Sequence, residues 1–166
     1  VSVIFCASEN LSPEQRKFFE GIFKCRVFDW YGQVELVSLA GGCEKSNYYH
    51  VFPEYGITEI IGKDGTIVTN DGEVGEIVGT GINNWLMPLI RYRMGDLAVH
   101  SNSECICGRA YPILSGIEGR MQEFFVAKDD SLIPLLGNYD IAVKMLSKIK
   151  EIQFVQQEKG LINVNV

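Results

Sequence analysis

Arg91-Tyr92-Arg93-Met94-Gly95-Asp96 is followed directly by Leu97-Ala98-Val99-His100, so a basic segment ending in Gly-Asp leads into a strand of alternating character. About sixty residues upstream stands Tyr31-Gly32-Gln33-Val34-Glu35, and about two dozen downstream stands Gly119-Arg120. An aromatic, a glycine and a carboxylate, then a basic Gly-Asp segment, then Gly-Arg together point to a nucleotide site. Carboxylates hold a metal or ribose hydroxyls, arginine neutralises phosphate, and glycine permits close backbone approach.

Working outward from that segment, the chain changes texture twice. Val3-Ile4-Phe5-Cys6 reads as a buried strand, and Ser12-Pro13-Glu14-Gln15 as a helix start with Ser12 as N-cap, Pro13 in the first turn and Gln15 completing a capping box. Phe18, Phe19, Ile22 and Phe23 give that helix an apolar face to cover a sheet. Arg26-Val27-Phe28-Asp29-Trp30-Tyr31 is the next strand. Residues 1–47 are therefore read as the end of an α/β subdomain, with Tyr31 and Glu35 at the carboxyl edge of the sheet, where ligands gather. From Tyr48 the pattern has period two. Strands at His50-Val51-Phe52, Thr58-Glu59-Ile60-Ile61, 75–80 and 97–100 predict an antiparallel, barrel-like subdomain over 48–119. Beyond Gly119-Arg120, residues 120–166 read as a small α+β piece. It has a hairpin turning at Lys128-Asp129-Asp130-Ser131, a helix capped by Asn138 and carrying Ile141, Met145 and Leu146, and strands over 152–156 and 161–166. The fold class expected is α/β grading into α+β.

The chain has 166 residues, is 46 % hydrophobic and carries a formal charge of −6, enough for a good core. Without a lysine/arginine block, a nucleic-acid surface is not expected, although a nucleotide pocket needs only one or two cations. No apolar run approaches a membrane span, and residues 1–6 do not look like a signal peptide. The opening, already in strand, reads as a piece of something larger. Five cysteines in such a chain suggest reduced thiols and a cytoplasmic location.

Cys105-Ile106-Cys107-Gly108 places two thiols on a turn, and Cys43 and His50 offer two more donors. Cys₃His is an ordinary closed zinc set. The competing reading is a pair of small buried side chains in a loop, and His100 competes as the fourth ligand. Cys6 and Cys25, set among apolar residues, read as core cysteines. No cysteine has the histidine–carboxylate partners of a nucleophile.

These motifs resemble the adenylate-forming superfamily, in particular its phenylacetate–coenzyme A ligase branch, which includes CapK-like capsular-polysaccharide proteins and coenzyme F390 synthetases. The resemblance rests on Trp30-Tyr31-Gly32-Gln33-Val34-Glu35, Glu54-Tyr55-Gly56-Ile57-Thr58-Glu59, and Gly75-Glu76-Ile77-Val78-Gly79-Thr80-Gly81. It continues through Met87-Pro88-Leu89-Ile90-Arg91-Tyr92-Arg93-Met94-Gly95-Asp96, Cys105-Ile106-Cys107-Gly108-Arg109 and Ile117-Glu118-Gly119-Arg120. It implies a partial adenylate-forming fold, with residues 120–166 beginning a mobile C-terminal domain. It implies that Glu35 and Arg120 act in catalysis, Glu35 beside the magnesium of ATP. Tyr31 and Gly32 would line the adenine and acyl pocket, Asp96 would bind the ribose hydroxyls, and Arg120 would contact ribose or phosphate. Branch members carry a zinc site spaced like Cys43, His50, Cys105 and Cys107.

The resemblance also implies the reaction. A small carboxylic acid and ATP give an acyl-adenylate, and coenzyme A is the expected acceptor. A CapK-like role with a different acceptor, and a non-catalytic zinc-stabilised interaction module, are the alternatives. The sequence departs from the pattern in four ways. The phosphate loop and the late catalytic lysine are not found, Val34 stands where Ser or Thr is usual, and Glu123 follows Gly119-Arg120 at the place of the hinge acid. On that ground the chain itself is expected to be folded but catalytically incomplete.

Overall fold

The computed structural model describes residues 1–9, 11–120, 124–134 and 149–166. The helix expected after Asn138 and the acid at Glu123 lie outside the described residues. Two compact units are formed by Val1–Gly119 and Arg120–Val166.

The first unit is built on one mixed sheet. Its strands are β1 (Val3–Ala7), β2 (Arg26–Gly32), β3 (Leu39–Gly42), β4 (Tyr49–Val51), β5 (Gly56–Ile61), β6 (Val74–Gly81), β7 (Tyr92–Ser101) and β8 (Ile113–Arg120), in the order β1-β2-β3-β4-β8-β7-β6-β5. β1 and β2 are parallel, with Phe5 opposite Phe28, and parallel neighbours need a crossover. Helix α1 (Pro13–Phe23) supplies it. Ser12 caps α1 as expected: its Oγ accepts from the Gln15 N–H at 3.2 Å, and the Gln15 side chain accepts from the Ser12 N–H at 3.0 Å. Lys24, in the left-handed region at φ 51°, ends the helix and turns the chain into β2.

The face that α1 turns to the sheet differs from expectation. Phe18, Ile22 and Phe23 are exposed, and the helix reaches β2 through polar side chains. Glu20 accepts from the Val27 N–H at 3.0 Å, and the Arg16 guanidinium donates to the Val27 carbonyl. The reason lies in the ladder. β3 pairs only with Trp30–Gly32 of β2, so the outward backbone groups at Val27 need other partners. A polar i, i+4 pair meets that need.

The antiparallel strands from β3 onward share the sheet with β1 and β2, so the chain passes residue 47 without leaving it. Their inner face holds the core: Ala40, Tyr49, Val51, Ile60, Val68, Ile77, Ala98 and Leu114. Tyr31 and Met94 pack against this cluster and are thereby anchored. Ile77 is fully buried. Replacing it with Ala should destabilise the unit by about 3–4 kcal/mol, read as a lower urea midpoint at unchanged slope.

In the second unit, β9 (Phe124–Val126) pairs with β10 (Leu132–Pro134), and β11 (Gln153–Glu158) with β12 (Leu161–Asn165), both antiparallel. The first hairpin turns at the predicted residues, with the Ala127 N–H donating to the Ser131 carbonyl at 2.9 Å. The Gln156 side chain joins the two hairpins. It accepts from the Val126 N–H and donates to the Val126 carbonyl, each at 2.8 Å.

Candidate functional site

β7 does not run evenly along β6. Glu76 lies opposite Leu97, but Val78 lies opposite Arg93, so Ile77 alone faces Met94, Gly95 and Asp96. This bulge adds two residues to β7, and bulges re-aim side chains beside functional sites. Gly95 takes φ 75° there, a conformation strained for any residue with a Cβ. Its N–H donates to the Glu76 carboxylate at 3.2 Å.

Asp96 is thereby turned toward the end of β2, where the Tyr31 hydroxyl donates to its Oδ2 at 2.7 Å. The same hydroxyl lies 3.5 Å from the Met94 sulfur. At the first residue of β7, Tyr92 donates its hydroxyl to Glu35 Oε1 at 3.2 Å, and that bond keeps the phenol's pKa above its ordinary value. Glu35 itself sits in a turn closed by the Leu36 N–H on the Gln33 carbonyl at 3.2 Å. Gly32 ends β2 opposite Leu39 and is exposed. Two aromatic–carboxylate pairs thus join β7 to the end of β2 and the turn after it, with Tyr31, Gly32, Glu35 and Asp96 around them. Arg120 is the exposed last residue of β8 and the first of the second unit. Reading the sequence gave no role to Glu76 or Tyr92. Their only signal was position inside the quoted motifs, because their partners come from other strands.

The cysteines and histidine expected to form one set do so. Cys43, His50, Cys105 and Cys107 bring one donor atom each to within 4.8 Å of one another. Cys43 follows β3, His50 lies on β4, and the Cys-x-Cys pair lies on the loop between β7 and β8. Strand pairing brings these elements together: His50 is opposite Gly41 on one side and Ile113 on the other. The Cys43 and Cys105 sulfurs are 3.6 Å apart, and Cys107 Sγ is 3.3 Å from His50 Nε2. A disulfide needs about 2.05 Å between sulfurs, whereas two thiolates on a tetrahedral zinc, each at about 2.3 Å, stand about 3.8 Å apart.

The surroundings favour a thiolate at Cys43. The Lys45 N–H donates to Cys43 Sγ at 3.3 Å and the Arg109 N–H to Cys107 Sγ at 3.5 Å, while the Ser46 hydroxyl lies 3.3 Å from Cys105 Sγ. Burial pushes the Cys43 thiol up, but hydrogen bonds from Ser46, the Lys45 backbone, His50 and Cys105 outweigh it and bring the pKa down to about 6. At Cys105 the Ser46 hydroxyl and the Cys107 N–H pull downward, yet burial and the neighbouring thiols raise it. Three thiols this close do not all ionise without a cation among them. The ring of His50 is buried, and its Nδ1 finds no partner among the described residues, so the nitrogen facing the thiols carries the ring's polar contacts. A Cys₃His site for zinc fits this geometry and donor chemistry.

His100, the rival ligand, lies instead on β7 with Nε2 3.0 Å from Asn102 Oδ1. Cys6 and Cys25 are half-buried rather than core residues. Outside the set, Arg109 donates to Glu44 at 2.6 Å, tying the loop after β3 to the Cys-x-Cys loop and holding the Glu44 carboxyl down at about 2.

No family model matches the chain. A phenylacetate–coenzyme A ligase of Thermus thermophilus is 27 % identical over 107 residues, which is 63 % of this chain and 24 % of the relative. One from Pseudomonas putida is 26 % identical over 151 residues, 87 % of this chain and 33 % of the relative. A crystal structure of 2-hydroxyisobutyryl-CoA ligase in the postadenylation state with 2-HIB-AMP superposes with a TM-score of 0.73 at 25 % identity, covering 98 % of this chain and 36 % of that one. An anthranilate CoA ligase in complex with anthranoyl-AMP gives a TM-score of 0.58 at 12 % identity over 99 % of this chain. The chain spans about a quarter to a third of the length of the curated relatives it matches. It is similar to phenylacetate–coenzyme A ligases and has the mixed, sheet-dominated α+β fold of a C-terminal portion of the adenylate-forming CoA ligases. Among the described residues no helix is long and apolar enough to cross a membrane.

Proposed function

We propose that this portion of the adenylate-forming ligase fold serves as the ribose-binding side of an AMP-forming acid–CoA ligase. The observation that carries the reading is the bulge in β7, which takes Asp96 out of the ladder and sets it against Tyr31 at 2.7 Å. An ionised carboxylate has about four acceptor sites. Asp96 accepts from the Tyr31 hydroxyl, and a carboxylate held in this way suits the two vicinal hydroxyls of a ribose. Tyr31 contributes a ring for adenine and a hydroxyl that fixes the carboxylate. Exposed Gly32 leaves room beside it for the nucleotide.

In the reaction, a carboxylate oxygen of the acid attacks the α-phosphorus of ATP and pyrophosphate leaves. A thiol then displaces AMP from the acyl-adenylate. Catalysis of such displacements rests on positioning and on offsetting developing charge. Asp96 positions the α-phosphate through the ribose, and Arg120 offers a forked cation to ribose or phosphate. Glu35, oriented by Tyr92, is the carboxylate suited to the magnesium that accompanies ATP, an ion held by one or two carboxylates together with substrate phosphates. The Cys43, His50, Cys105 and Cys107 set holds zinc in a structural capacity. Coenzyme A is the acceptor this reading favours, since a 2-hydroxyisobutyryl-CoA ligase of this fold binds 2-HIB-AMP and CoA together. A location in the cytoplasm suits these substrates.

ATP–pyrophosphate exchange by the longer protein that carries this chain is the direct test. Exchange dependent on one of a panel of aromatic and short-chain carboxylic acids is the expected result. No exchange with any acid, in a protein that is folded and zinc-loaded, would favour the interaction-module reading instead.

A further inference from the structure

The carboxylate of Glu76 is buried, with a side chain only 7 % exposed, and it is engaged on both sides of Met94. One oxygen accepts from the Gly95 N–H at 3.2 Å, and the other accepts from Arg93 Nε at 2.8 Å and from a second guanidinium nitrogen. A bulge leaves the N–H of its extra residues without a ladder partner, and a partly buried N–H left so is costly. A carboxylate on the neighbouring strand, opposite Leu97 at the point where the register shifts, replaces that partner. Arg93, whose side chain is 69 % exposed, compensates the buried charge from the residue just before the extra ones.

We propose that Glu76 is the positioning residue of this site. It grips Arg93 and Gly95 and so holds β7 in the one register that turns Asp96 toward Tyr31. Without that grip β7 is free to close the two-residue bulge and rejoin β6 evenly, which would pair Asp96 with Ile77 inside the ladder instead of leaving it outside. Asp96 would then leave Tyr31. The inference rests on the reading of Asp96 as the ribose carboxylate, but the conformational part stands on the geometry alone.

The experiment follows the Gly95 amide by hydrogen exchange in NMR spectra of the 166-residue chain, with AMP as the binding probe. In Glu76→Ala, Gly95 exchange should rise about a hundredfold while Val78 and Leu97 change much less, and AMP affinity should fall about tenfold. Glu76→Gln keeps an oxygen for the Gly95 N–H and should restore most of the protection. Should the Ala variant not fold, Glu76→Leu replaces it, because the exposed Arg93 finds water. Unchanged Gly95 exchange on loss of the carboxylate overturns the proposal. So does a uniform rise across β6 and β7, or loss in Gln equal to loss in Ala. Asp96→Ala separates the two readings. If it leaves AMP binding unchanged, the nucleotide reading falls, and Gly95 exchange still decides the role of Glu76.

Discussion

Stripped of metal, the first unit should lose the pairing between β4 and β8. The chain purified with zinc is expected to carry about one ion, and Cys105→Ser to carry none. The reason is topological. Cys43 and His50 lie within the β3–β4 hairpin, whereas Cys105 and Cys107 lie on the loop that feeds β8. The β4–β8 ladder next to the cluster is short, with Tyr49 opposite Leu114 and His50 opposite Ile113. A metal joining the two segments closes a long loop and fixes that short ladder at once. Structural zinc sites of this kind contribute directly to folding, and loss of one ligand is expected to lower the melting temperature by 10 °C or more, about 3 kcal/mol for a domain of this size. A chelator should do the same to the unaltered protein, and zinc should restore it. His100→Ala, away from the cluster, should bind zinc normally. A zinc-free protein that melts where the loaded one does would show four ordinary side chains that happen to meet.

That cluster was largely legible in the sequence, and for a simple reason. Cys105-x-Cys107 with Cys43 and His50 offered a Cys₃His set, His100 competed for the fourth place, and the resemblance to the ligase branch favoured His50; strand pairing then brings these two short segments together. The capping box at Ser12 and Gln15 was legible because it is local: both hydrogen bonds lie within four residues. The first hairpin of the second unit was legible for the same reason, from Asp129 and Ser131 in its turn. The bulge in β7 was not. The alternation changes phase between Met94 and Leu97, but that alone reports neither the size of the bulge nor its partner, and the residue that makes it stable, Glu76, stands on another strand. The packing of α1 was misjudged on the same grounds. Phe18 and Ile22 follow a helical apolar period, but the outward backbone groups at Val27 decided which face would meet the sheet, and no periodicity reports them. Local signals located the elements. Contacts between strands decided what the elements present.

Replacing Asp96 by Ala in the full-length protein should lower kcat/KM for ATP by about a hundredfold to ten-thousandfold. Each hydrogen bond between a hydroxyl and a carboxylate is worth about 1.5–3 kcal/mol, and a ribose makes two. Asp96→Asn keeps one oxygen and should fall between Ala and the unaltered enzyme. Tyr31→Phe keeps the ring but removes the 2.7 Å bond that aims the carboxylate, so a loss of about fivefold to tenfold is expected. Since Tyr31 acts through Asp96, the two losses should not add. In the double variant Tyr31→Phe adds little to Asp96→Ala, which a double-mutant cycle reads as a coupling of about 1 kcal/mol or more. Val34→Ala is the control, because that side chain is 94 % exposed in the same turn and touches neither carboxylate pair. Additive losses at Tyr31 and Asp96 would mean that the hydroxyl serves the substrate directly and that the pair is not one unit. Full activity in Asp96→Ala would remove the ribose role altogether, leaving the bulge as architecture without a nucleotide to serve.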